Sequence, residues 1–261
     1  MHKSIIQVSD DFWNIRGSFR IAGVVDIGTQ ASLARLSNGN FLFLDSCHLD
    51  ARRAGELEQL VEKRGGEIEA ILNLHPFHTV HVRRMHEQFP NAKHYGTARH
   101  LSRDPELRWE TLRTEDPELH EMFSDDFDFS IPRGVDFISS NQNIHFSSVL
   151  VYHRASKTIH VDDTLNYTRL PKVARVIGQT DSTTFQPTLP FALEKRAGAA
   201  QDFRRWGEEL AERWGEAQNL CTAHTAALLA SKNDGAPIRD RILKALDKTS
   251  RTLRRHERKH G

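Results

Sequence analysis

Three histidines lie three residues apart where the strand-like run EIEAILNL ends, in the stretch LNLHPFHTVHV. They are His75, His78 and His81. Imidazole is the commonest metal-binding side chain in proteins. The three rings could therefore bind a metal ion, or they could be polar side chains that bind nothing.

Pro76 limits the conformation of this stretch, because proline fits the first turn of a helix or a loop but not a helix interior. We expect it to keep the chain extended, so that His75 and His78 point into the same cleft. His78 and His81 would then lie near the start of the next helix. Ligand sites in α/β folds tend to lie at strand ends, which favours the metal interpretation.

Further candidate ligands follow in the second half of the chain. His145 opens the apolar strand in NIHFSSVLVYH, Asp162 and Asp163 end the next strand in KTIHVDDTL, and His224 follows an apolar pair in NLCTAHTAA. The order is strand, histidine and helix, then histidine, strand, turn, strand and aspartate, and then a last histidine.

This order resembles that of the metallo-β-lactamase superfamily over about residues 15–225. The opening hairpin ASLARLSNGNFLFLDS, which ends near Asp45, is similar to the early hairpin of that family. The resemblance implies an α/β (α+β) fold, a four-layer αββα sandwich. It also implies metal ligands, which are His75, His78, His145, Asp163 and His224.

The family motif HxHxDH is incomplete here. In the preferred register its four ligand positions hold Asn73, His75, Phe77 and His78. An alternative register begins at His75 and keeps only that ligand. Asn73 is a poor zinc ligand and Phe77 cannot bind a metal, so we expect Phe77 either to enter the core or to block a second metal position.

The remaining donors, mainly imidazoles with one carboxylate, suit one divalent ion, zinc or iron. His81 could replace a missing ligand. The resemblance thus implies a metal-dependent hydrolase of an unknown small-molecule substrate. Asp163 would act as ligand and water-orienting catalytic residue, and Asp45 or Asp162 could fix a histidine tautomer. The alternative is a non-catalytic binding or structural protein that has lost a full metal site.

Composition and charge limit the partners and the cellular location that the chain could have. The 261 residues carry a formal net charge of +1, which makes nucleic acid an unlikely partner. The two cysteines, Cys47 and Cys221, form no CxxC pair and suit a reducing cytosol. The N-terminus does not resemble a signal peptide, and no apolar run reaches membrane-spanning length. We therefore expect a cytoplasmic protein of undetermined oligomeric state.

The elements expected to position these residues alternate between strands and helices. We expect a type I′ hairpin turn at Asn38-Gly39, a helix within residues 49–66, and strands at GVDFIS, HFSSVLVYH and KTIHVDD. The acidic segment at 101–130 would form a long loop or short helices and cover the site mouth. The last third would be helical, with Phe203, Trp206 and Leu210 on one helical face. We expect a domain at 1–230 and a helical extension at 231–261 whose basic end is solvated.

Several other histidines are expected to be exposed polar residues without a structural role: His94, His100, His120, His256 and His260.

Overall fold

The computed structural model describes residues 5–17, 20–21, 25–26, 28–170, 181–224, 226–233 and 236–261. The chain divides into two units, residues 1–129 with 153–156, and residues 130–152 with 157–261. The described strands are β1 Ile5–Ser9, β2 Phe12–Gly17, β3 Arg20–Ile21, β4 Val25–Asp26, β5 Thr29–Arg35, β6 Phe41–Leu44, β7 Ile68–Leu72, β8 Lys93–Tyr95, β9 Phe127–Ser130, β10 Leu150–His153, β11 Thr158–Val161, β12 Leu165–Thr168, β13 Ser182–Phe185, β14 Asn219–Thr222 and β15 Ala227–Leu228. The described α-helices are α1 Ala51–Lys63, α2 Val82–Gln88, α3 Ala98–Arg103, α4 Pro117–Met122, α5 Leu189–Ala192, α6 Ala199–Arg213, α7 Ile238–Lys248 and α8 Ser250–His260.

The first unit is built on a six-stranded sheet in the order β1-β2-β5-β6-β7-β8. Its first four strands pair antiparallel, whereas β6, β7 and β8 are parallel and need the crossover helices α1 and α2 between them. In α1, Ala54, Leu57 and Val61 form one buried stripe. The parallel strands end side by side, and the histidine stretch begins where β7 ends.

The hairpin between β5 and β6 forms where we expected it, but its turn type is different. Gly39 has a φ of 92°, and the positive-φ residues do not include Asn38. A type I′ turn needs positive φ at both central residues. Instead, the Gly39 N–H donates to the carbonyl of Leu36 over 2.9 Å, and glycine takes the left-handed position that follows a type I turn.

Asp45 joins the ends of β6 and β7. Its N–H donates to the Leu72 carbonyl over 2.8 Å, and its Oδ1 accepts the Leu74 N–H over 2.8 Å. Asp45 is 2% exposed and has a φ of 65°, in the left-handed region. Such a backbone costs free energy in a non-glycine residue, although aspartate tolerates it better than most. The carboxylate bond therefore offsets a strained backbone and fixes the start of the histidine stretch.

His94 and His100 are buried, so the expectation that they are exposed was wrong. His94 on β8 is stacked on His86, with ring centroids 3.7 Å apart, and donates its Nε2–H to the Phe89 carbonyl. His100 on α3 is fully buried. Burial is the largest cause that lowers the pKa of each ring to about 4, so both are neutral near pH 7. The sequence around His94 and His100 does not indicate this packing.

The second unit contains the adjacent strands β15, β14, β11 and β10, in that order, and the separate antiparallel pair β12-β13. Strands β11 and β14 are parallel, and Val161 is paired with Thr222 at their carboxyl ends. Helices α6, α7 and α8 share one hydrophobic core with these strands, in which Phe203 and Leu253 are fully buried. The expected stripe of Phe203, Trp206 and Leu210 on α6 is confirmed, because all three are buried.

Several expected elements are shorter than predicted or different. GVDFIS contributes only an isolated bridge at Val135, and HFSSVLVYH forms a strand only over Leu150–His153. Residues 101–130 hold the end of α3, all of α4 and β9, and irregular chain between them. The last third also contains β13, β14 and β15, and its two final helices belong to the second unit. A domain at 1–230 followed by an extension stays a prediction.

Both cysteines are buried thiols that form no disulfide, as expected. Burial raises the pKa of the Cys47 thiol to about 12. Within the described ranges, no helix has the length and apolar character needed to cross a membrane.

The Asp45 bond can be tested by two substitutions. We expect Asp45→Ala to lower the free energy of unfolding by about 2–4 kcal/mol, because a buried N–H loses its acceptor and alanine is strained at positive φ. Asp45→Asn keeps an acceptor and tolerates the backbone, so it should cost less than about half as much. Urea unfolding of the three proteins decides this; equal losses for both variants would contradict the role given to the carboxylate.

The buried histidines predict a loss of stability in acid. Their folded pKa of about 4 lies below the ordinary value of 6.5, so the unfolded chain binds more protons between these limits. The free energy of unfolding should be constant above pH 6.5 and fall towards pH 4, by up to about 3 kcal/mol for each ring. Urea unfolding at several pH values measures the slope. His94→Gln should make it shallower; an unchanged slope in His94→Gln would refute the assignment.

Candidate metal centre

The histidine turn, residues 75–78, follows β7 in the first unit. The His78 N–H donates to the His75 carbonyl over 3.0 Å, so Pro76 occupies the second position of a β-turn, which its fixed φ favours. The expectation that Pro76 keeps the chain extended was therefore wrong. The turn itself brings the rings of His75 and His78 together, stacked with centroids 4.1 Å apart.

Two side chains and its own amide group hold Asn73, which lies two residues before the histidine turn. Ser46 donates to the Asn73 Oδ1 over 2.6 Å, and Thr114 donates to the Asn73 carbonyl over 2.9 Å. The Asn73 amide nitrogen donates to the Tyr95 carbonyl over 3.0 Å. Asn73 is 1% exposed, so the residue that replaces the first histidine of the family motif is a buried structural amide. This agrees with the view that it is not a metal ligand.

His100 holds the other end of the histidine turn. The Thr97 N–H donates to its Nδ1 over 3.1 Å, which leaves the proton of the neutral ring on Nε2. That Nε2–H points to the His78 carbonyl at 3.4 Å. Because the ring is fully buried and neutral, its tautomer is fixed, and it can position the main chain of His78 without adding charge.

The protonation of His75 follows from its neighbour. The Phe77 N–H donates to the His75 Nδ1 over 3.1 Å, so this nitrogen carries no proton and the ring is neutral. Neutral imidazole is the form that binds metals. His75 is fully buried and His78 is half-buried, and their ligand nitrogens lie within 4.8 Å of each other. The pair fits a divalent ion in both donor type and spacing.

Phe77, which stands where the family motif has aspartate, lies beneath a cation. The Arg99 guanidinium carbon is 4.5 Å from the centre of its ring. The side chain is half-buried and lies outside the hydrophobic core, contrary to one of our two expectations. Whether it excludes a second metal stays a prediction.

His81 begins helix α2, as the sequence indicated, and its ring centroid lies 6.1 Å from that of His48. Burial, followed by the charge of His48, lowers the pKa of His81, so this ring too is neutral near pH 7. It is half-buried beside His48, and its role as a substitute ligand stays a prediction.

The residues of the acidic segment at 101–130 contact the histidine stretch from within the first unit. Thr114 bonds to Asn73, and the adjoining helix α3 supplies His100. The expectation that the segment covers the site mouth stays a prediction.

In the second unit, the pairing of two parallel strands brings Asp163 and His224 together. Val161 and Thr222 are partners at the ends of β11 and β14, and each predicted ligand follows its strand by two residues. The His224 Nε2 lies 2.8 Å from the Asp163 Oδ1. Asp163 is buried, so the imidazole fixes a carboxylate that would be costly to bury alone.

His145 lies in the same unit, before β10 begins. Its Nε2–H donates to the Gln142 carbonyl over 2.7 Å, and its own carbonyl accepts from Gln186 over 2.7 Å. In the neutral form of this half-buried ring, that bond leaves Nδ1 with the lone pair that a metal would need. Its place in the ligand set stays a prediction.

Sequence reasoning missed His160. Along β11, Ile159 and Val161 enter the hydrophobic core, so His160 faces the other side of the strand. His160 and Asp162 are both buried, and their ligand atoms lie within 4.8 Å of each other. The strict alternation in TIHVD was the available signal. His160 and Asp162 are further candidate ligands, and Asp45 is a candidate ligand in the first unit.

Comparison with known proteins gives a result only at the level of structure. No protein-family model matches the sequence, and no curated protein matches it either. Among solved structures, DIM-1 metallo-β-lactamase is 15% identical, with a TM-score of 0.59 over 94% of this chain and 97% of its own. FIM-1 from Pseudomonas aeruginosa, in a mono-zinc form, is 11% identical, with a TM-score of 0.57 over 95% and 96%.

A metallo-β-lactamase from Erythrobacter litoralis gives a similar result, at 11% identity, with a TM-score of 0.58 over 95% of this chain and 98% of its own. Identities this low carry information about the fold alone. They confirm the fold class expected from the order of strands, histidines and aspartates. The chain has the metallo-β-lactamase fold, in a sequence that has diverged far from those solved enzymes.

Proposed function

We propose that this protein is a metal-dependent hydrolase that binds one zinc or iron ion through His75, His78, His145, Asp163 and His224. The observation that carries the proposal is the histidine turn, in which buried hydrogen bonds hold two imidazoles together after a strand. The Asp163–His224 contact supports it independently, because the register of two strands produces it. A mono-zinc form of one structural relative supports the expected stoichiometry.

When bound, a divalent ion would polarise a carbonyl or phosphoryl group and lower the pKa of water towards neutrality. The chain's own residues would supply the rest. His75 contributes a neutral ring, and His100 keeps the His78 main chain in place. Asp163, held by His224, would be a ligand and would orient the attacking water by accepting its hydrogen bond.

A second function is a non-catalytic binding protein that keeps the fold. The two altered motif positions favour it. The Asn73 amide is hydrogen-bonded to Ser46 and Tyr95, and the Phe77 ring lies under the Arg99 guanidinium. Two ligand positions of the family motif are therefore used for structure. The hydrolase proposal includes a small-molecule substrate and a cytoplasmic location. Two buried thiols without a disulfide suit such a reducing compartment.

Metal content tests the ligand set. Protein purified without chelator should contain about one zinc or iron ion per chain by elemental analysis. His78→Ala, His145→Ala and Asp163→Ala should each lower the metal affinity at least about 100-fold, because losing a ligand exceeds the cost of losing its supporting partner. His260→Ala, at the end of the terminal helix, should keep the wild-type content. A content of zero, or one unaffected by His145→Ala, would refute the ligand set, and a content of two would refute the register.

A hydrolysis assay distinguishes the proposed hydrolase from the non-catalytic binding protein. The metal-loaded protein should hydrolyse at least one chromogenic substrate among a lactam, a lactone, a thioester and a phosphodiester. For that substrate, Asp163→Asn should lower kcat/KM about 100-fold or more, since it removes the carboxylate charge with little change in volume. Circular dichroism checks that the variant is folded. A metal-loaded protein that is inactive on all four classes would favour the binding protein instead.

A further inference from the structure

A cavity of about 650 Å³ lies within the second unit. Its walls are the loop at residues 136–144, the short helix α5 with the residues after it, and one face of α8. Small-molecule sites usually have volumes of about 300–1,000 Å³. As far as the structure describes the chain, none of the five proposed metal ligands lines this cavity, so it is a separate feature.

Cations dominate its polar lining. Thr252, Arg255, His256 and Lys259 follow the spacing i, i+3, i+4 and i+7, which turns one face of α8 towards the cavity. Lys195 adds a third permanent positive charge. Among the described residues, Lys195, Arg255 and Lys259 take part in no ion pair, so their charges are available to a ligand.

The two terminal histidines extend the positive face. His256 and His260 both line the cavity, and their ring centroids lie 4.6 Å apart. Loss of hydration, and then the positive charges of His256, Lys259 and Lys195, lower the pKa of His260. The cavity thus has a positive potential that disfavours a further cation and favours an anion.

The opposite part of the lining is apolar. Ile144, Pro190, Phe191 and Leu193 contribute to it, and Phe191 is 70% exposed. Single exposed apolar side chains are common, but this ring also lines a cavity. It offers a flat surface on which a planar ring can stack. Asp136 is the one acidic group among the described lining residues, and its carboxylate can accept hydrogen bonds from hydroxyl groups.

We propose that this cavity binds a nucleoside monophosphate. Arg255, Lys259 and Lys195 would contact the phosphate, Phe191 would stack on the base, and Asp136 would accept hydrogen bonds from the sugar. Arginine suits the phosphate group because its planar fork can donate two parallel hydrogen bonds. The site and the metal site use different residues, so either can exist without the other.

A single-stranded nucleic acid offers the same phosphate and base chemistry. Two observations favour the free nucleotide. The site is a cavity of small-molecule size, whereas Arg254 and Arg258 on the outer part of α8 do not line it. The net charge of +1 also gives the chain no general attraction for a polyanion.

Calorimetric titration of the full chain with AMP tests the proposal. EDTA in every titration prevents a bound metal from contacting the phosphate, so the result does not depend on the proposed hydrolase. Adenosine and inorganic phosphate are titrated separately, and each should bind more weakly than AMP. The double variant Arg255→Gln with Lys259→Gln should lower AMP affinity at least tenfold. Phe191→Ala should lower AMP affinity but leave phosphate binding unchanged.

The matched control is Arg254→Gln with Arg258→Gln, which removes the same charge from the same helix outside the cavity. It should keep AMP affinity within about twofold, because separated exposed charges are screened by salt. Equal losses in the two double variants would refute the cavity as the site. Absence of AMP binding at millimolar concentration would refute the proposal, as would binding of an oligothymidylate without binding of AMP.

Discussion

The hydrogen bond from the Leu74 N–H to the Asp45 carboxylate fixes the position from which the histidine turn departs. Asp45 makes it with a left-handed backbone, beside the end of the neighbouring parallel strand. The bond is buried, so water cannot replace it if it is lost. This contact between two strand ends fixes Leu74, the residue from which the histidine turn starts.

A series of polar contacts continues from that point. Ser46 and Thr114 hold Asn73, Pro76 sets the turn, and His100 holds the carbonyl of His78. Each contact uses an uncharged group or a buried neutral ring, so the surroundings of His75 and His78 gain order without gaining positive charge. Such surroundings suit a cation, which neighbouring protonated histidines would repel.

In the second unit, strand pairing rather than a turn brings two candidate ligands together. Parallel pairing of β11 with β14 decides that Asp163 and His224 emerge side by side, and no turn is required. The core beneath these strands is built from aromatic residues of α6, such as Phe203 and Trp206. Strand register is therefore set by hydrophobic packing, and the position of the polar pair follows from it.

The fold class could be predicted because the order of strands, histidines and aspartates along the chain resembles that of the metallo-β-lactamase superfamily. The sequence was also sufficient for α6, whose stripe of Phe203, Trp206 and Leu210 repeats at helical spacing. It did not predict the burial of His94 and His100, because the contacts that bury these rings form only in the fold: His94 stacks on His86 of another element, and His100 faces the His78 carbonyl. The turn at Pro76 was missed for a related reason: proline is compatible with both an extended chain and a β-turn.

The thiol of Cys47 lies two residues beyond Asp45 and is 1% exposed. Its high pKa leaves almost no thiolate near neutral pH, and the surrounding core excludes reagents. A thiol-specific reagent can therefore modify this residue only during moments when the strand ends separate. The rate at which such a reagent modifies Cys47 therefore measures how often the segment before the histidine turn opens.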